Sequence, residues 1–289
     1  MDLANEDLNR SLLGQPKQSL RSRVAPGGSG LLLLSWFLGG LLLAFIIAPL
    51  IGLAISQSGA SLWHVAQLPD VRQAILLSIE AALAATAVAG LLGIPLAYAL
   101  ARAKFPGQGV VAAIVDMPLA VPHTVAGIAL LFVFGRDGVF GAPAAWIGLR
   151  FWGTVAGIVV AMLFVSAPYT VGAARIGFEA VDPRLEKVAR TLGMGPWRVF
   201  WHVTLPLAWR SIATGLTLTC ARAISEFGAV IILVYYPMTA PVKIYELFLR
   251  FGVSEAAGMA TLLLAVSLVL LIVFRHFAHG QSQVSGYGR

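Results

Sequence analysis

The chain has 289 residues, 58% of them hydrophobic and 11% charged, with a mean hydropathy of +0.85. Soluble domains carry about a quarter charged residues, so a conventional globular protein is excluded and a polytopic membrane protein is implied. A net charge of +7 would suit a nucleic-acid partner, but the basic residues gather at the ends of apolar runs, where they report topology and not a polyanion.

Residues 1–30 are polar, include Pro16, Lys17, Arg21, Arg23 and a GGSG segment, and read as a flexible cytoplasmic tail. The apolar run that follows is too long for a signal-peptide core and has no small-residue cleavage site close behind it, so cleavage is not expected. Six spans are expected, at about 31–56, 74–101, 110–134, 151–176, 206–234 and 256–277, each measured against the roughly 20 apolar residues that a bilayer core requires. With the amino terminus inside, fourteen Lys and Arg fall on the cytoplasmic side and five outside, while Arg222 lies within a span. Both termini are therefore expected inside. The single cysteine, Cys220, excludes an intrachain disulfide and a cysteine-cluster metal site.

Glu80 in the second span and Asp116 near the inner end of the third read as buried, hydrogen-bonded structural groups. The third span carries Pro118, Pro122, His123 and Thr124 in PLAVPHTVAG. Two prolines four apart free backbone carbonyls within the bilayer, which predicts a bent helix, either a packing kink or the lining of a pathway. In the fourth span Gly153 and Gly157 form a GxxxG, a pattern that permits close helix approach.

Between the fourth and fifth spans lies DPRLEKVARTLGMGPWRVFWHVTLP, residues 182–206. Asp182 as N-cap and Pro183 at the first position predict a short exposed helix over 184–192. Gly193 is its stop, and Gly195-Pro196 forbids continuation. A second short helical piece is expected over 197–203. A capped, charged helix between two spans suits either a docking partner or the lipid headgroups.

The fifth span carries Arg222 and Glu226, four apart and so on one helical face. A continuous helix over 206–235 would be about 45 Å long and would set Arg222 near the membrane middle. An ionised pair there costs several kcal/mol unless paired or hydrated. It reads as a structural salt bridge or as part of an anion path. Residues 241–251 (PVKIYELFLRF) predict an amphipathic helix along the outer surface. The expected carboxyl tail, 278–289, is cytoplasmic. His276 and His279 near that end are weak grounds for a metal site.

The order Gly193, nine residues, Val203, one residue, Leu205-Pro206 resembles the cytoplasmic EAA loop of ABC importer permeases. The position of that family's glutamate is Lys187 here, with Glu186 beside it, and Val188 replaces the first alanine, while Ala189 and Gly193 fit. PLAVPHTVAG and ARAISEFGA resemble segments of the molybdate, tungstate and sulfate permeases, with His123 where proline is common and Ile224 and Ser225 as local changes. The resemblance covers roughly 74–277 and implies an all-α, six-span permease of the MetI-like fold, with a transmembrane domain over 31–277. It also implies two permease copies around one path, two separate ATP-binding subunits that hold ATP and Mg, and an extracytoplasmic oxyanion-binding protein. By that likeness Glu186, Lys187, Ala189, Arg190, Gly193 and Pro206 serve coupling. Pro122, Thr124, Arg222, Ser225 and Glu226 serve the path or gate.

No lysine follows a glycine, so no phosphate-binding P-loop is present and the chain is not its own ATPase. HExxH and GxSxG are also lacking, which leaves an intramembrane enzyme without machinery. A secondary transporter would account for the intramembrane pair but not for the EAA spacing, and no inverted repeat is visible. The expected function is the permease of an ABC importer for molybdate or tungstate in the cell membrane, with sulfate or thiosulfate as the alternative cargo.

Overall fold

The computed structural model describes residues 29–279, with no strand among them. The expected tails fall almost wholly outside that range, as do both termini. By internal packing the chain divides into two units, one ending at Gly52 and the other beginning at Leu53. The first contains most of helix α1 (Ser29–Ile55), which is apolar throughout apart from two serines and carries Pro49 in its interior. All that follows concerns the second unit.

Helix α2 (Gly59–Gln67) is short and N-capped by Ser58, whose hydroxyl accepts from the Ser61 amide. Helix α3 (Pro69–Arg102) runs 34 residues, about 51 Å at 1.5 Å per residue, and so is longer than a bilayer core is thick. One face is built from small residues, among them Ala74, Ser78, Ala81, Ala85, Ala89, Gly93 and Ala97, all buried at spacings of three or four. Such a face lets backbones approach closely where lipid offers no hydrophobic drive for helix association. It packs against α7 (Val155–Ala180), with Ala82, Ala85, Ala161, Met162 and Val165 in one shared core. The opposite face, with Leu76, Leu83, Leu91 and Leu92, is exposed, as a lipid-facing surface should be.

The expected third span is two helices. Helix α4 (Gln108–Ala120) and helix α5 (His123–Phe134) meet at 115°. Pro122 has no N–H, and it forces Val121 into extended geometry (φ −79°, ψ 129°), so the helix ends there. Pro118, buried inside α4, does not break it. A short helix α6 (Gly141–Trp146) lies in the loop that follows.

Beyond α7 come α8 (Pro183–Thr191), α9 (Pro196–Val199) and a π-helical turn (Phe200–Thr204) that runs directly into α10 (Leu205–Ile224). The expected fifth span is therefore broken too. It resumes only as α11 (Gly228–Leu233). The chain closes with α12 (Ala240–Phe251), the expected amphipathic segment, and α13 (Val253–His279).

Among the described residues four helices, α1, α3, α7 and α13, are long and apolar enough to cross a bilayer, five if the bent pair counts as one span. The expected fifth span does not join them, because α10 carries Arg210, Arg222, Ser211 and the threonines 214, 217 and 219 along 20 residues. Two smaller expectations fail. Gly153, at φ +68°, lies in the turn before α7, so it and Gly157 form no helical GxxxG pair. Glu80 and Asp116 are exposed on the surface of the chain rather than buried.

Candidate functional site

Two polar constructions stand out in this unit. The first is the 182–206 loop. Asp182 caps α8 as expected, its carboxylate accepting from the Arg184 amide at 2.8 Å, with Pro183 in the first turn. Gly193 ends the helix at φ +86°, a left-handed conformation that glycine enters without a Cβ penalty. The expected second helix starts at Pro196 but does not stop before the next span. The π-helical turn joins it continuously to α10, in which Pro206 occupies the first turn.

Helix α8 has two unlike faces. Leu185, Val188 and Leu192 are exposed, together with Trp197 and Trp201 just beyond, and Arg184, Lys187, Arg190 and Arg198 are exposed among them. Ala189 and Glu186 point inward. Glu186 is 5% exposed. Its Oε1 accepts from Arg102 Nε at 2.9 Å and from Thr204 Oγ1 at 3.0 Å, while Arg190 Nη2 lies 4.0 Å from Oε2. The Arg102 guanidinium also donates to the Val181 carbonyl at 2.9 Å. Of the residues expected to serve coupling, Lys187, Arg190, Gly193 and Pro206 are accessible, whereas Glu186 and Ala189 are tied into the bundle. Arg102 and Thr204 were not expected. The separation of 84 residues between Arg102 and Glu186 left no local signal for the pair.

The second construction joins the two broken spans. Ser225 ends α10 (φ −89°, ψ 1°), and Glu226, with no exposed surface, accepts from the Ala229 amide at 2.8 Å and so caps α11. Its other oxygen holds Arg222 Nη2 at 2.6 Å. The same nitrogen lies 2.8 Å from His123 Nε2, at the start of α5. His123 Nδ1 lies 3.9 Å from Glu226. Arg222 Nη1 donates to Ser225 Oγ at 3.3 Å. Two of the five guanidinium N–H groups have no partner among the described residues. The helix breaks touch. A Cβ on Gly228 would lie 2.8 Å from His123 Cβ and 3.3 Å from the Thr124 amide nitrogen.

Of the residues expected along a path, Arg222, Ser225 and Glu226 meet in one cluster, with Pro122 making the bend and Thr124 exposed beside it. Arg222 is thus at the end of a helix and not in the middle of a continuous one. His123, which carried no assigned role, is part of the cluster. No group of three metal-ligating side chains occurs among the described residues.

A family profile described as "binding-protein-dependent transport system inner membrane component" matches residues 89–282. The molybdate/tungstate transport system permease protein of Thermococcus kodakarensis is 43% identical over 240 residues, 82% of this chain and 92% of that protein. The probable sulfate transport system permease protein of Chlorokybus atmophyticus is 34% identical over 233 residues, 78% of this chain and 82% of that protein. Among solved structures, a bacterial ABC transporter involved in the import of the acidic polysaccharide alginate is similar with a TM-score of 0.64 at 20% identity, over 86% of this chain and 97% of that one, a likeness of fold alone.

Proposed function

This chain belongs to the family of binding-protein-dependent transport system inner membrane components, and from that premise we propose that it carries a tetrahedral oxyanion, molybdate or tungstate, through the membrane. It is a multi-pass ABC importer permease, and ATP is bound by a separate subunit. The exposed apolar and basic face of α8 is the surface on which that subunit docks, with Lys187 and Arg190 at the contact, Gly193 ending α8 and Pro206 in the first turn of α10.

The observation that carries the anion reading is the junction of the two broken spans. A permanent cation sits there, braced by a buried carboxylate and an imidazole ring, with N–H groups to spare. Glu226 offsets the charge of Arg222, so an arriving dianion is met by directed donors and not by a large net positive charge. That arrangement favours binding weak enough to release, as a pathway requires. Thr124 and Ser225 add hydroxyls at the same bend.

A homodimer encloses the path. Glu80 and Asp116 are exposed on the chain alone, and an acid facing lipid costs several kcal/mol; a second copy across a hydrated path relieves that cost. An extracytoplasmic binding protein delivers the anion and does most of the selection among tetrahedral dianions of similar shape. Sulfate or thiosulfate is the second reading, favoured by the 34% identical sulfate relative.

Proteoliposomes that hold the permease, its ATP-binding subunit and the binding protein test this directly. They should accumulate tungstate or molybdate only with ATP present, and Arg222→Ala should lower uptake or uncouple hydrolysis from it. Accumulation without the ATP-binding subunit would refute the importer reading, and unchanged kinetics in the variant would remove Arg222 from the path. Calorimetric affinities of the binding protein for tungstate, molybdate and sulfate assign the cargo.

A further inference from the structure

The inward face of the coupling loop forms a joint that the docking reading does not use. Four elements converge on the Arg102–Glu186 pair: the last turn of α3, the carboxyl end of α7 at Val181, α8 through Glu186, and the π-helical turn through Thr204. Arg102 and Glu186 are 16% and 7% exposed at their side chains, so water competes little with the contacts. A second layer reinforces the same elements. Tyr98 of α3 meets Phe178 of α7 edge-on at 5.3 Å and Phe200 of the π-helical turn at 5.0 Å.

We infer that Arg102 is a positioning residue for energy coupling, the member of a polar clamp that makes α8 move as one body with the second, fourth and fifth membrane segments. A force applied at the exposed face of α8 reaches the bundle through whatever connects the two. The covalent connections are Val181-Asp182 on one side and the glycine-bearing 192–195 turn on the other, and a turn of that kind yields easily. The clamp bypasses it. One planar guanidinium reaches both the α8 carboxylate and the α7 carbonyl, a two-point grip that a lysine ammonium does not reproduce with fixed geometry. Thr204 brings in the start of α10, whose far end carries Arg222. Displacement of α8 is thereby passed to the helix that holds the anion junction.

This inference rests on the reading that the ATP-binding subunit docks on α8, and the experiment separates the two. Four variants are assembled with the ATP-binding subunit and the loaded binding protein: Arg102→Met, Arg102→Lys, Glu186→Gln and, on the exposed face of α8, Leu192→Asp. Copurification of the ATP-binding subunit and oxyanion imported per ATP hydrolysed are measured for each. Leu192→Asp should lose copurification. Arg102→Met and Glu186→Gln should keep it and continue to hydrolyse ATP, but import per ATP should fall by roughly 2- to 30-fold, with Arg102→Lys intermediate.

An unchanged import-to-hydrolysis ratio in Arg102→Met and Glu186→Gln would overturn the inference while leaving the docking reading intact. Retained copurification in Leu192→Asp would sink the docking reading instead. Should Arg102→Met fail to assemble, Glu186→Gln decides, because it is isosteric and keeps an acceptor for Thr204. Failure of both to assemble would make the clamp a folding element and overturn the coupling role.

Discussion

Glu226 has no exposed surface and holds Arg222 at 2.6 Å, so neither side chain is altered without stranding the other. Arg222→Ala leaves a buried carboxylate without its counter-charge, a loss of about 3–5 kcal/mol, and reduced uptake in that variant alone would not separate transport from stability. The double variant Arg222→Ala/Glu226→Gln does. The glutamine keeps an oxygen for the Ala229 amide and removes the stranded charge. Its melting temperature in detergent should return most of the way to wild type while uptake stays low; recovery of uptake would reduce the pair to scaffold. Gly228 makes a related demand without charge. Gly228→Ala would put a methyl 2.8 Å from His123 Cβ and should destabilise the protein by about 1–3 kcal/mol, read as a lower melting temperature.

At the scale of elements, signals confined to neighbouring residues were legible and those spread across the chain were not. Asp182-Pro183 and Gly193 set the ends of α8 because a cap and a left-handed glycine act locally. The break at Pro122 was only half legible: two prolines announced a bend, but which one severs the helix depends on the extended Val121 geometry. The break at Ser225 was hidden, since ARAISEFGA is an acceptable helix until Glu226 turns back to cap the next one. The amphipathic helix α12 was legible, yet its anchor was not. Lys243 bridges Asp70 at 3.0 Å and Glu246 at 2.7 Å, and Arg250 joins Glu246 at 2.7 Å. Hydrogen bonds from Lys243 and then Arg250 hold the Glu246 carboxyl below its ordinary value of 4.5. Burial pulls Lys243 down, but its bonds to Glu246 and Asp70 outweigh that and raise it above 10.5. Glu246 therefore stabilises the folded state above its ordinary value and loses that effect as pH falls through its lowered one. Lys243 contributes below its own ordinary value and loses its effect as pH rises through the raised one. The protection of the α12 amides, their exchange corrected for its intrinsic pH dependence, should hold between these limits and fall below pH 4.5, and Glu246→Gln should flatten the acid limb.

For the molecule as a whole, composition alone established the membrane class, and the six apolar runs located nearly every long helix. The break in the fifth span escaped, and that in the third showed only through its prolines, because hydropathy averages across a break without registering it. Three-dimensional contacts add a constraint on topology that the residue counts lacked. Helix α3 meets the coupling loop at Arg102 and meets α12 at Asp70, so those two features lie at opposite ends of one 34-residue helix. On the proposed reading, which the excess of Lys and Arg supports, the end that carries Arg102 lies in the cytoplasm. Because Cys220 is the only cysteine and is buried, single cysteines introduced elsewhere can be labelled against a low background. A membrane-impermeant maleimide should label Leu249→Cys on α12 in intact cells and Arg190→Cys on α8 only after permeabilisation. The reverse pattern would put α8 on the outer face, beyond reach of any ATP-binding subunit, and the docking face, the clamp and the direction of transport would all fail together.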